Sequence, residues 1–600
     1  MECRPDAPRH CLRECAQLCA ASLVLGAGAL AQAIARVSVS NSGTQGNGES
    51  YIHALSADGR FVAFQSLASN LVPGDSNASW DVFVRDLQAG TTERVSVDSA
   101  GVQGNSFSWS PSISADGRFV AFSAGASNLV PGDTNGKRDV FVRDRLLGTT
   151  ERVSLSSAGL EGSGDSENAS ISADGRFVAF YSEAPDLIPT NTNGCGDIFL
   201  RDRLLSTTEL ISVDPTGALA DGQSWLPTIS DDGRFVAFVS IATNLVALDT
   251  NYATDIFVRD RVNGTTVRAS VDSAGLQANS NSHAAWISGN GQCVAFASYA
   301  SNLVAGDTNL CEDIFVRDLM AGTTERISVD SAGLQANADS WVAAISADGA
   351  AVAFYGYASN LVPGDSNGCA DVFLRDRPSA MTRRLSVSAN GQQGNDISWY
   401  PSISADGRLL TFASSASNLV PGDTNGSGDV FVLGDLPPPV PFCAGDGSLA
   451  ACPCANSGVS GHGCENSAAS GGAWLGAQGA ARLQSDDLVL SSSGELPSVL
   501  SILLEGTAAL GPLHLGDGLR CTGGLLHRLF VHYASAGVFS APQSGEPSIS
   551  ARSAALGDVL TSGATRYYQV YYRDPIEGFC PAPQGAALNI SNGLAILWTP

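Results

Sequence analysis

The stretch Ile113-Ser114-Ala115-Asp116-Gly117-Arg118-Phe119-Val120-Ala121-Phe122 decides how this chain folds. Close copies begin at Leu55, Ile171, Ile229, Ile287, Ile345 and Ile403, a period of 58 residues with nothing inserted or lost between copies. A period of this length marks a solenoid, a propeller or an array. Asp116-Gly117 supplies the positive φ angles of a tight turn, so residues 111–114 and 118–123 read as neighbouring antiparallel strands. The run Phe119-Val120-Ala121-Phe122 is apolar on both faces, which implies a sheet covered on both sides. Two further motifs follow, D-V-F-V-R-D at 139–144 and T-E-R-V-S-L at 150–155, and complete a four-strand meander.

One such meander cannot bury two apolar faces alone, whereas sheets set radially about an axis cover one another. The ends of the array carry the argument further. Residues 36–39, R-V-S-V, match the fourth-strand motif, while the seventh repeat stops after D-V-F-V at 429–432. Seven of every strand are obtained only if the N-terminal strand completes the last blade. That offset locks a ring and removes its free sheet edges. The expectation is an all-β chain: a seven-bladed β-propeller over residues 34–436, then a disulfide-containing β-sandwich-like domain.

I-S-A-D-G-R-F-V-A-F, D-V-F-V-R-D and a closing R-V-S-V strand together resemble the blades of TolB-type propellers, a WD-like repeat family. There a Ser-Pro-Asp-Gly turn precedes an apolar strand and an Asp-Ile-Tyr-Val strand follows. The likeness covers all seven repeats, with Ala115 and its equivalents in place of the usual Pro and an added loop between the second and third strands. Propellers of that family mostly bind proteins or serve as scaffolds beside another domain, so the resemblance implies a scaffold and supplies no chemistry.

Residues 1–31 read as a secretory signal peptide, with Arg4, Arg9 and Arg13 ahead of an apolar stretch and an A-x-A site at 29–31. The mature protein is expected to be secreted, periplasmic or at the cell surface, without a transmembrane anchor, and a monomer. Residues 437–441, P-P-P-V-P, read as an extended linker. Residues 442–600 hold cysteines at 443, 452, 454, 464, 521 and 580, an even number for an oxidising compartment. The net charge of -26, with Lys137 as the single lysine, repels phosphate backbones and argues against nucleic acid.

A meander places the Asp-Gly turns on one face of the ring and both long connections on the other. The long-loop face is the expected binding surface. Its inserts repeat D-x-N-x-x-x-D as Asp75, Asn77, Asp81; Asp133, Asn135, Asp139; Asp249, Asn251, Asp255; Asp307, Asn309, Asp313; Asp365, Asn367, Asp371; and Asp423, Asn425, Asp429. In blade 3 Asn191 replaces the first Asp, ahead of Asn193 and Asp197. Hard oxygen ligands on a short loop suit Ca²⁺, although the set falls short of six to eight oxygens. The alternative is Asx-turns that hydrogen-bond the loop itself. Cys195, Cys311 and Cys369 share one column and are expected to lie too far apart to bond.

A second ring of candidates follows an invariant serine at the start of each first strand: Tyr51, Trp109, Glu167, Trp225, His283, Trp341 and Trp399. These groups suit stacking on a sugar or gripping a peptide, or else packing between blades. No G-x-S-x-G elbow, sialidase Asp-box or histidine ligand set is found. The reading is a non-catalytic propeller that binds a protein or glycan partner; the alternative is a glycan-active lyase or hydrolase with its site at the channel mouth.

Overall fold

The structure, a computed structural model, describes residues 34–434 without a break and, of the remainder, 440–442 and much of 452–598. The expected signal segment, Cys443, Cys454, Cys580 and residues 437–439 of the linker lie outside the described residues. Two compact units divide the chain, one running to Leu436 without Leu87–Gly90 and the other made of Leu87–Gly90 with the residues from Pro437 onward. No helix among the described residues is long and apolar enough to cross a membrane.

The first unit holds seven four-stranded antiparallel sheets. In blade 2 the strands are Ser108–Ile113, Phe119–Ala124, Asp139–Asp144 and Thr149–Arg152, paired in that order. Phe122 faces Phe141 across the central pair with ring centroids 5.9 Å apart. The same Phe–Phe pair recurs in every blade, from Phe64–Phe83 to Phe412–Phe431. Each pair is fully buried, because the sheet is covered on both faces. Phe61, Val82 and Val84 of blade 1, for example, pack against Val120, Phe122 and Phe141 of blade 2. Burial of such side chains contributes roughly 1.5–3 kcal/mol each.

The ring closes on itself. The first strands touch in sequence, and Ser398–Ile403 of blade 7 touches Ser50–Leu55 of blade 1. Blade 7 contains Ser398–Ile403, Leu409–Ser414 and Asp429–Gly434, with Ile34–Arg36 as its outer strand. The closing strand therefore starts and ends earlier than residues 36–39. Val37 still donates to Val430 O, but Val39 N turns back to Val37 O, which curls the chain off the sheet.

Asp-Gly does more than turn a hairpin. Ala115 N donates to Ala173 O and Ala173 N to Asp231 O, and the ladder of turns is completed when Ala405 N reaches Ala57 O. Gly117 has φ 70°, and a Cβ there would stand 2.1 Å from the Phe61 ring of the preceding blade. Phe61 in turn lies between the guanidinium groups of Arg60 and Arg145, 4.7 and 4.4 Å from its centroid. Arg145 also pairs with Glu93 across the blade boundary. The neighbouring Arg85 column donates to carbonyls and threonines, as Arg85 does to Ser40 O and Thr92 Oγ1.

The second unit is also β. A six-stranded sheet is built on the long hairpin Leu500–Leu515 and Gly518–Tyr533 with Thr565–Arg573 beside it. A three-stranded sheet contains Trp474–Gln478, Val489–Ser493 and Val538–Ala541. Leu475, Leu490, Leu503, Phe530 and Trp598 from both sheets share one core. Residues 440–441 of the expected linker are strand, paired with Ala595 and Leu594. One short helix, Ile549–Ala555, is capped by the Ser548 hydroxyl. Cys452 and Cys464 form a disulfide, and Cys521 is bonded as well.

Candidate functional site

The insert loops hold an internal cation. Arg94 Nη1 lies 3.4 Å from Asp75 and 3.6 Å from Asp81. Arg152 lies 3.3 Å from Asp133 and 3.1 Å from Asp139, and Arg268, Arg326 and Arg384 repeat the arrangement on their own loops. At the closure Arg36 takes the same place, 3.1 Å from both Asp423 and Asp429. Gln103 Nε2 adds donors to Asp75 and Asp81, each at 2.8 Å. Asn77 is occupied at both ends: its Oδ1 accepts from Ser79 N, and its Nδ2 donates to Asp81 and Gly104 O. Two carboxylates around one guanidinium leave the Asp81 column desolvated, and burial pushes Asp313 up to about 6. Among the described residues no group of three or more His, Cys, Asp or Glu side chains is placed to hold a metal ion.

Blade 3 shows what the loop is built around. Asn191, Leu210 and Leu219 stand where other blades have Asp, Arg and Gln or Glu. Carboxylate, guanidinium and amide are lost together, and Asp197 keeps only neutral partners such as Ser212 Oγ at 2.7 Å and Asn193 Nδ2 at 2.9 Å. A calcium ligand set gives no reason for an arginine on the fourth strand to vary with the aspartate; an ion pair does. The Arg94 and Gln103 columns are not among the site residues expected from sequence, although this shared exception is visible there. In the same loops Cys311 and Cys369 are disulfide-bonded and Cys195 is free.

At the inner end of these loops the invariant serines stitch the blades. Ser108 N donates to Trp80 O and Ser50 N to Gly428 O across the closure, while Ser50 Oγ meets Ser66 Oγ at 2.8 Å. Their side chains are buried, so their role is structural. The residue after each serine is half-buried, with one side packed and one side open at the channel mouth. Tyr51 lies 4.9 Å from Trp80 and 6.3 Å from Trp399, and Trp109 lies 4.9 Å from Phe107. Trp341 lies against Tyr355 and Tyr357. His283 meets the buried Glu312, and Trp225 packs against the cores on both sides of its blade. Glu167 is held by Arg138 at 2.9 Å, and Arg138 also grips Asp165 at 2.8 Å.

Around this ring the repeat stops repeating. The residue ahead of each third strand is Trp80, Arg138, Gly196, Thr254, Glu312, Ala370 or Gly428. The residue after each second strand is Leu67, Gly125, Glu183, Ile241, Tyr299, Tyr357 or Ser415. Both core phenylalanine columns are, by contrast, identical in all seven blades. Next to the ring residue a β-bulge puts Ser110, Asn168, Leu226, Ala284 and Tyr400 at φ between 49° and 57°. Left-handed backbone at non-glycine residues costs about 1 kcal/mol each.

Two depressions open between blades at this mouth. One, of about 420 Å³, is lined by Glu167, Asn168, Tyr181, Glu183, Gln223 and Trp225. The other, of the same volume, is lined by Glu49, Tyr51, Ile52, Trp399, Tyr400, Ser415 and Gly428. In the first, Gln223 donates to Tyr181 OH at 2.8 Å and that hydroxyl meets Glu183 at 3.1 Å. In the second, Tyr51 OH donates to Glu49 at 2.5 Å, and burial with this carboxylate pushes Tyr51 up to about 12. Gly428 leaves the gap between the Trp399 and Tyr51 rings. The mouth thus brings aromatic faces and carboxylates together. It gathers the seven expected ring residues at one rim, while the loop aspartates are spent on arginine.

No protein-family model and no curated protein sequence matches the chain. Among solved structures it is similar to TolB from Acinetobacter baumannii, at 14% identity and TM-score 0.31 over 56% of this chain and 63% of that one. It therefore spans less than two thirds of that TolB chain. An oligogalacturonate lyase in complex with manganese aligns at 12% identity and TM-score 0.41, over 67% of this chain and 92% of that one. The β-propeller domain of the Trilobed protease from Pyrococcus furiosus aligns at 12% identity and TM-score 0.32, over 51% of this chain and 77% of that one.

Proposed function

We propose that this chain is an exported, non-catalytic β-propeller whose binding surface is the channel mouth on the long-loop face. The observation that carries this reading is where the repeat varies. Core columns, turn columns and seam serines are copied around the ring, because the fold dictates them. The rim columns are not copied, and they hold tryptophan, tyrosine, glutamate and arginine in a different order at each blade. A rigid scaffold with a differentiated rim suits one extended partner, and aromatic side chains supply most of the contact energy of such surfaces.

The cation of the insert loops, in this account, is arginine rather than calcium. Calorimetry of the chelator-treated chain is expected to show no calcium uptake at millimolar concentration and no change in Tm; several equivalents bound with a raised Tm would contradict it. For the mouth, the test is an immobilised panel of peptides and oligosaccharides probed with the native chain and with Trp225→Ala/Trp399→Ala. The native chain is expected to score ligands that the double variant loses while its Tm transition stays cooperative. An unchanged panel would place binding elsewhere.

A further inference from the structure

We infer that the mouth takes a cationic partner segment, an arginine- or lysine-bearing stretch of a protein, held by carboxylates set beside aromatic faces. The inference rests on the mouth being the binding surface and names the chemistry of what it binds. Glu183 and Glu49, one in each depression, are exposed and have no ion-pair partner among the described residues. Each has a tyrosine hydroxyl as its neighbour, Tyr181 and Tyr51, and a tryptophan in the same cleft wall, Trp225 and Trp399. The polar side-chain groups nearest them are already committed: the Gln223 amide to Tyr181, and both hydroxyls to the carboxylates. The charged group that remains open is carboxylate oxygen, which accepts and does not donate, beside indole and phenol faces that attract a cation, with Asn168, Tyr400 and Ser415 as further neutral polar groups of the same walls.

The chain supplies its own example of the fit. Arg138 enters the rim between Asp165 and Glu167, with Nη2 and Nη1 at 2.8 and 2.9 Å from their oxygens, and stays partly exposed. A guanidinium is thus accommodated at one point of the rim, and its charge also reaches Glu183, which makes no direct ion pair among the described residues. The net charge of -26 draws cations to the surface as a whole. The clefts add what bulk charge lacks, an aromatic wall. A neutral glycan would use that wall and donate hydroxyls to the carboxylates, but it would leave their charge uncompensated, which a cation neutralises, and an acidic glycan would be repelled. The two clefts lie at the blade 3–4 and blade 7–1 boundaries, on opposite sides of a seven-blade ring, so a segment crossing the mouth would meet both.

Six of the chain's 8 tryptophans, Trp80, Trp109, Trp225, Trp286, Trp341 and Trp399, lie on first strands or at the rim. Tryptophan fluorescence of the full chain therefore reports on the mouth. The probes are a short arginine peptide, a glycine–serine peptide of equal length, and cellohexaose. The arginine peptide is expected to shift the emission saturably, with affinity about tenfold weaker in Glu49→Gln/Glu183→Gln. In Glu151→Gln/Glu209→Gln, which removes the same charge from exposed fourth-strand positions, affinity should stay within about twofold. Equal loss in both double variants would reduce the effect to bulk charge and overturn the inference. Cellohexaose binding that Trp225→Ala/Trp399→Ala abolishes and Glu49→Gln/Glu183→Gln spares would also overturn it, leaving the mouth as a glycan surface. No shift with any probe would overturn the inference together with the reading beneath it.

Discussion

His53 is the one residue of its column that is neither proline nor alanine: the equivalents are Pro111, Ala169, Pro227, Ala285, Ala343 and Pro401. Both its ring nitrogens are shut off from solvent, and burial takes its pKa down to about 4, offset in part by the Thr411 backbone. An unfolded histidine titrates near 6.5, so between the two values only the unfolded chain binds the proton. Stability is therefore lost as pH falls from 6.5 towards 4. Denaturant unfolding at pH 7 and pH 4.5 is expected to show a loss about 2–3 kcal/mol larger in the native chain than in His53→Ala; equal losses would remove His53 from the account. At this scale the sequence is legible where chemistry is local. The Asp-Gly turn is written in adjacent residues, and Asn77 with its Asx-turn spans three. The arginine that occupies six of the seven loops is not legible in that way, because Arg94 lies on the fourth strand and reaches the loop only when the meander is folded. The blade 3 exception, Asn191 with Leu210 and Leu219, is the signal in the sequence that points to it.

Among elements, the closing strand depends most on side chains. Ile34–Arg36 contributes three residue pairs to blade 7, too few to hold a ring shut by backbone alone. Arg36 supplies the rest through Asp423 and Asp429, with Ser38 Oγ on Asp429 at 2.6 Å and Gln45 Nε2 on both carboxylates. Replacing Arg36 by methionine strands two buried carboxylates and should cost about 3–5 kcal/mol, read as a fall in Tm. Blade 7 amides should then exchange hydrogen faster than blade 4 amides. A uniform change around the ring would show that the seam is not where closure is held. The offset between the chain's two ends makes this latch legible from the repeat pattern alone. Its boundaries are not, since whether R-V-S-V stays in the sheet is settled by Val39 N bonding back to Val37 O. The bonded Cys311 and Cys369 are likewise out of reach of sequence, because the approach of two sulfurs is a tertiary property.

The whole propeller divides into what the ring requires and what it leaves free. Turn ladders, seam serines, phenylalanine pairs and arginine-filled loops account for the repeated columns, and they make a rigid support. The rim that remains carries Glu49, Tyr51, Glu167, Glu183, Trp225 and Trp399, and nothing in the fold explains why those residues differ from blade to blade. Regular spacing in the sequence locates this ring. It does not show that blades 3 and 4, and blades 7 and 1, open clefts there, because that depends on rim residues from separate columns such as Tyr181 and Gly428. The measurement that tests the central claim most directly is hydrogen–deuterium exchange of the full chain with and without a saturating arginine peptide. The account predicts slowed exchange confined to segments 49–52, 165–168, 223–226 and 397–400. Protection on the Asp-Gly turns, on the outer strands or in the C-terminal unit, with those four segments unchanged, would contradict it.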